Sequence, residues 1–311
     1  MRIVVAGEAL IDFTSAGDLA FQGHFGGAPL NASLAAARLG QPTGLVTQLS
    51  TDMFGRRLLA YLHDNGIDTR FVCFDDAPTT LAFAEKVGTT NRYAFYTKGS
   101  ADSRYAPDPL PELPDSVSFI QFGSIALLNE PAAGSILSLV RRNKDRKVVV
   151  LDPNVRPSLI ADADAYRKDF AGWCGLADLL KVSDEDALFL APQSTPADFA
   201  ARWLASGIKA VVITAGGEGA TLYRADAAAI AIPAPSVTVV DTIGAGDTFS
   251  AALMVALQER GVDAAGLARL AEGSWHDSLA FAAAAAAINC TRPGAQPPTR
   301  DEVAAFLTAR R

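Results

Sequence analysis

Cysteine is scarce in this chain: Cys73, Cys174 and Cys290 are the only three, they lie far apart, and no two form a Cys-x-x-Cys pair. That excludes a disulfide framework and a zinc ribbon and points to a reducing, cytoplasmic setting. Histidine is as rare, and His24, His63 and His276 have no metal-ligand spacing. Basic charge is not in excess. A formal net charge of −7 argues against nucleic acid or anionic lipid as a partner. No apolar run is long enough to span a bilayer; the alanine-rich stretch from Leu279 to Cys290 comes closest and is too short. The opening MRIVVAGEALID meets Glu8 and Asp12 too early to be a signal peptide.

Several catalytic signatures are missing too. The sequence has no Gly-x-x-x-x-Gly-Lys-Ser/Thr loop, no His-Arg-Asp or Asp-Phe-Gly, no Gly-x-Ser-x-Gly elbow, and no Gly-x-Gly-x-x-Gly after the first apolar run. P-loop enzymes, protein kinases, serine hydrolases of the elbow type and dinucleotide folds are set aside on these grounds.

What is present suits an α/β protein. With 311 residues, half of them hydrophobic, the chain can bury a large core. Short β-branched runs (RIVVAG, GLVTQLS, VSFIQFG, KVVVLDPN, KAVVITAGG) alternate with helical spacing over Leu30 to Leu39, Glu130 to Arg142 and Pro196 to Ser206. The alternation predicts a three-layer sandwich: a mainly parallel central sheet with helices on both faces. Residues 9–27 and 78–100 break the rhythm. The second pairs TTLAFAEKV with RYAFYT around a turn-forming GTTN, and together the two predict a small β lid on a single domain spanning 1–311. The proline cluster at 107–115 reads as a connector, and the basic run at 141–147 as a solvated helix end.

The chemistry concentrates at VVDTIGAGDTFSAALMVAL, residues 239–257. Gly244, Ala245 and Gly246 make a tight turn, and free N–H groups at a helix start form an anion site. A carboxylate beside an anion site is repelled by phosphate unless it holds an incoming hydroxyl and takes its proton, a division of labour that phosphoryl transfer requires. The motif by itself leaves open whether Asp247 is that base or a helix cap, the commoner use of such an Asp.

DTIGAGDTF, together with FGGAPLNASLAAARLG and DMFGRRL earlier in the chain, resembles the two signature regions of the ribokinase/PfkB carbohydrate kinases, and PTTLAFA, YAFYTKGSAD, FGSIALLNEP and LDPNVRP resemble the fructokinase branch. The resemblance implies a ribokinase-like fold and an ATP- and Mg²⁺-dependent kinase acting on a sugar, fructose first. It implies Asp247 as base and Gly244, Ala245 and Gly246 as anion hole. Asp12, Gly26, Gly27 and Asn31 match sugar-holding positions, and Arg156 matches an arginine near the transferred phosphate or the sugar. For ATP the matching positions are Thr214, Gly216, Gly217 and Gly219, with Ser183. Many members have Asn-x-x-Glu where this chain has Ser183-Asp184-Glu185-Asp186, which puts Asp186 and Glu185 near Mg²⁺ through water. A K⁺ site, common in the family, would fall at Asp241, Ile243 and Gly294, and family analogy also suggests a homodimer clasped through the lid. The alternatives are another substrate, such as ribose, a nucleoside or 2-keto-3-deoxygluconate, whose carboxylate would call on Lys98 or Arg104, and a non-catalytic sugar or nucleotide sensor on the same fold.

Overall fold

A computed structural model describes residues 1–87 and 90–310. In chain order its elements begin with strands β1 (Ile3–Ala6), β2 (Leu10–Gly17) and β3 (Ala20–Gly26), helix α1 (Ala28–Arg38), strand β4 (Thr43–Ser50) and helix α2 (Met53–Asp64). Strands β5 (Val72–Asp75), β6 (Leu81–Val87), β7 (Thr90–Tyr96) and β8 (Phe119–Gly123) follow, then α3 (Ala132–Asn143), β9 (Val148–Asp152) and α4 (Ala163–Cys174). The remainder runs β10 (Leu179–Ser183), α5 (Asp184–Leu190), α6 (Pro196–Ala205), β11 (Ala210–Thr214), β12 (Ala220–Tyr223) and β13 (Ile230–Ile232), and closes with α7 (Ala245–Glu259), α8 (Ala264–Arg269), α9 (Glu272–Asn289) and α10 (Arg300–Thr308).

The β-branched runs form a nine-stranded sheet in the order β13-β12-β11-β10-β9-β8-β1-β4-β5. From β11 across to β5 every pairing is parallel; β12 and β13 add an antiparallel edge. Alternate side chains of each central strand face opposite ways, so two cores result. Ile3, Val5, Val148 and Val150 face α1, α7 and α9, whereas Val4, Ala6, Val149 and Leu151 face α3, α4 and α6. This is the expected three-layer arrangement. The alanines of α9 serve it directly: Ala282, Ala284 and Ala285 are fully buried in the first core, where small side chains let helices approach closely.

Both segments that break the rhythm join a second sheet, ordered β3-β2-β6-β7. Its outer pairs are antiparallel and its central pair, β2 with β6, is parallel. The predicted hairpin is present in β6 and β7, although Gly88 and Thr89 of its turn lie outside the described residues. Phe13 stacks on Phe83 at 4.9 Å and Phe21 meets Phe83 edge-on at 5.2 Å, which stiffens this sheet. The proline cluster at 107–115 stays irregular, as its composition requires.

Parallel strands deliver their carboxyl ends to one edge of a sheet, where ligand crevices form in open α/β folds. Here that edge carries Glu8 after β1, Ser124 after β8, Asn154 and Arg156 after β9, Ser183 at the end of β10, and the glycine turn after β11.

Candidate active site

Two cavities meet at the amino end of α7. One, of about 580 Å³, lies between the two sheets and is lined by Asp12, Gly27, Asn31, Asn154, Arg156 and Asp247, among others. The other, of about 420 Å³, is an apolar cleft bounded by Thr214, Gly216, Gly217 and Gly219 on one side and Ala283, Ala286 and Ala287 of α9 on the other. Thr242 and Gly246 line both, so the turn before α7 is where occupants of the two cavities would touch.

That turn is built by glycine. Gly244 takes φ 74°, a left-handed conformation that glycine adopts without strain, and occupies the N-cap position of α7 with no side-chain cap. A Cβ at Gly244 would lie 2.6 Å from that of Ala295, so no other residue fits. Of the first-turn N–H groups, that of Ala245 donates to Thr242 O at 3.2 Å, while Gly246, which lines both cavities, has an N–H that a helix start leaves without an intrahelical acceptor.

Asp247 does not cap the helix. Its Oδ2 accepts from Asn31 Nδ2 at 2.9 Å and its Oδ1 from Asn154 Nδ2 at 3.4 Å, while the carboxylate itself is buried. Burial pushes its pKa up to about 6; the Asn31 hydrogen bond, Lys181 and Arg156 act the other way, and Asp152 adds to the rise. A carboxylate in that range is a base matched to neutral conditions. Asn154, within the Asp-Pro-Asn segment, was not anticipated as a site residue. It takes φ 40°, a left-handed conformation, and its own Oδ1 accepts from Arg156 Nη1 at 2.6 Å.

Asp12 lies half-buried in the wall of the larger cavity, and burial raises its pKa to about 6, offset in part by Arg156. Gly26 does not line this cavity. Its role is to leave room: a Cβ there would fall 1.9 Å from Asp12 Oδ2. Glu8 is a further residue that sequence reasoning missed. It lines the cavity, is buried, and accepts from Ser124 Oγ at 2.7 Å and the Ala126 N–H at 3.2 Å, with burial lifting its pKa to about 7.

Other expected residues are arranged differently. Ser183 and Asp186 form a capping box on α5, and Asp186 also accepts from the Val155 N–H at 2.9 Å. Ser183 lines neither cavity; Glu185, beside them, lines the larger one. Among the described residues no cluster of three or more His, Cys, Asp or Glu is set to hold a metal. Asp241 ties its loop together, accepting from the Ile243 N–H at 3.0 Å and the Gly294 N–H at 2.8 Å. Lys98 is exposed beyond β7, Arg104 pairs with Asp75 at 3.1 Å, and neither lines the cavity.

Known proteins of similar sequence and structure share this arrangement of elements. The chain is 37% identical to a fructokinase of Rhizobium leguminosarum bv. trifolii over 260 residues, covering 82% of this chain and 79% of that one. Its fold superposes with a TM-score of 0.89 on a fructokinase with bound ATP from Xylella fastidiosa, at 26% identity, covering 99% of this chain and 98% of the other. A fructokinase double mutant from Vibrio cholerae O395, in fructose-, ADP- and potassium-bound form, gives a TM-score of 0.88 at 26% identity with the same coverage. The family description "pfkB family carbohydrate kinase" matches residues 2–302, and with a buried carboxylate set at a glycine anion turn between two cavities, the chain belongs to that family.

Proposed function

We propose that this protein transfers the γ-phosphoryl group of ATP to fructose, giving fructose 6-phosphate and ADP. The observation that carries the reading is Asp247, buried in the wall of the larger cavity next to Gly246, where that cavity meets the apolar cleft. The fructokinase relatives, and the neighbours holding fructose and ADP or ATP, support the same choice of substrates.

In this reading fructose occupies the larger cavity, where Asp12 and Asn31 offer an acceptor and a donor to its hydroxyls. The nucleotide lies in the cleft, its base between the glycine turn after β11 and the alanines of α9. Val239, half-exposed at the cleft's rim, supplies further apolar surface. Asp247 takes the proton of the primary hydroxyl as that oxygen bonds to the γ-phosphorus, and the bond to the β-phosphate oxygen breaks to release ADP. The N–H of Gly246 stabilises charge on the moving group, that of Ala245 being given to Thr242 O, and Arg156 offsets the charge from the wall of the larger cavity. The second sheet acts as the lid that keeps water from competing with the sugar.

Mg²⁺ would neutralise phosphate charge. Glu185 is better placed than Asp186 to hold its waters, because Asp186 already accepts from the Val155 and Ser183 N–H groups. A K⁺ ion would take backbone oxygens in the loop tied by Asp241, a use of K⁺ that the potassium-bound form of the Vibrio cholerae fructokinase supports. A dimer through the second sheet completes the reading, supported by the exposed Leu19, Phe21 and Tyr96. The keto-acid alternative is weakened by the placement of Lys98 and Arg104 away from the cavity.

The test is ADP release by the purified protein with Mg²⁺-ATP against fructose, 2-keto-3-deoxygluconate, ribose, glucose and adenosine, with and without K⁺. Fructose-selective turnover is expected. Selectivity for another sugar overturns the substrate, and silence on all five overturns the catalytic reading.

A further inference from the structure

Lys181 is a lysine in the interior of a central strand. It lies on β10, only 4% exposed, where its neighbours Leu180 and Val182 are fully buried. Its Nζ donates to Asp152 Oδ2 at 3.1 Å, and Ser250 Oγ donates to the same oxygen at 2.7 Å. Asp152 is buried too, and its Oδ1 has no hydrogen-bond partner among the described residues. Ion pairs of this kind are costly: replacing one by apolar residues is often neutral or stabilising, so stability alone does not explain its presence.

Its position does suggest an explanation. Ser250 is four residues after Gly246, on the same face of α7. A Cβ built on Gly246 would lie 3.0 Å from Lys181 Nζ, so the ammonium sits directly against the turn that makes the anion hole. The charged groups facing Lys181 are Asp152 from β9, Asp186 from α5 and Asp247 from α7. Those facing Asp247 are Asp152, Lys181, Arg156 and, from β2, Asp12, with Asn31 of α1 and Asn154 after β9 as its hydrogen-bond donors.

We propose that Lys181 is a positioning residue for phosphoryl transfer: clamped through Asp152 to Ser250, its ammonium fixes the first turn of α7 and holds a positive charge behind the Gly244–Gly246 anion hole. It reaches neither cavity and acts through Gly246 and Asp247. A lysine has three donors, and the one hydrogen bond it makes to Asp152 leaves charge and hydrogen-bonding capacity beside Gly246. Burial opposes the charge, but Asp152, Asp186 and Asp247 together raise the Lys181 pKa, so the ammonium stays protonated throughout the working range. The inference rests on the kinase reading, which turnover by the unaltered enzyme in the same assay tests separately.

The test uses two variants, Lys181→Met and the charge-balanced Lys181→Met/Asp152→Asn, with urea unfolding to establish that each is folded. In both, kcat should fall roughly tenfold or more, less than the roughly 10²–10³ lost with a direct oxyanion donor, while KM for sugar and for ATP changes by less than about threefold. In Lys181→Met the acid limb of kcat/KM should move up by about one pH unit, because a charge favouring ionised Asp247 is gone and Asp152 remains. The added Asp152→Asn should return the limb toward its original position while kcat stays low. A folded double variant with unaltered kcat, or an unmoved acid limb in Lys181→Met, would overturn the assignment.

Discussion

Replacing Asp247 by Asn should make the enzyme inactive and more stable at once, and the second effect should depend on pH. The carboxylate is buried, and its pKa stands at about 6 against 3.8 for a free Asp. A group whose folded pKa is raised binds its proton more tightly in the native state, so stability is lost as pH rises above the free value of 3.8, and the full cost is reached above about 6. A shift of about two units corresponds to about 3 kcal/mol at pH 8. The amide keeps the shape without the charge, so Asp247→Asn should be more stable than the native chain by up to about 3 kcal/mol at pH 8 and by about half that at pH 5, where the carboxyl is already mostly neutral. Catalysis moves oppositely, because an amide accepts no proton, and kcat should fall by about 10²–10⁴. Urea unfolding at the two pH values and ADP release at pH 8 read both effects. A variant that is less stable at pH 8, or that retains more than about a tenth of kcat, would refute the assignment of a desolvated base.

Other consequences follow from the same geometry. Activity should decline as pH falls through about 6, because Asp247 and Asp12 both take up protons there, and a pH–rate profile of kcat/KM flat down to pH 5 would contradict it. Gly26→Ala puts a Cβ 1.9 Å from Asp12 Oδ2, and a displacement of that carboxylate should lower kcat/KM for the sugar by about 10² while nucleotide affinity by calorimetry stays unchanged. Ala286→Phe would fill the apolar cleft, raising KM for ATP by about tenfold or more with little effect on KM for the sugar in the same steady-state assay.

The strands of the large sheet were legible because buried parallel strands are near-continuous β-branched runs, as VVVLD of β9 illustrates. Strand β10 was harder to see, because Lys181 interrupts its apolar run, and what permits a lysine there is a partner on another strand that no local pattern reveals. Asp247 and its glycine turn were readable as an anion site with a carboxylate. Whether that carboxylate was a cap or a base depended on Asn31, which is 216 positions away in sequence. The reading of Ser183 and Asp186 as ligands met a signal that was present in the sequence: a serine followed three residues later by an acidic residue is a helix-start pattern, and both side chains are used in that cap. Glu8 had no local signature at all. Its significance comes from burial against Ser124 and Ala126, brought there by β8, whose strand neighbours β1 only in the folded sheet.

The central claim, phosphoryl transfer to a sugar hydroxyl at Asp247, is tested most directly by following ³¹P NMR of Mg²⁺-ATP with fructose in the presence of the unaltered enzyme and of Asp247→Asn. The account predicts that with the native chain the γ-phosphate signal of ATP moves into a sugar 6-phosphate resonance while ADP resonances appear, and that the variant leaves it in ATP. Release of inorganic phosphate in place of a sugar phosphate, or equal conversion by the variant, would contradict it.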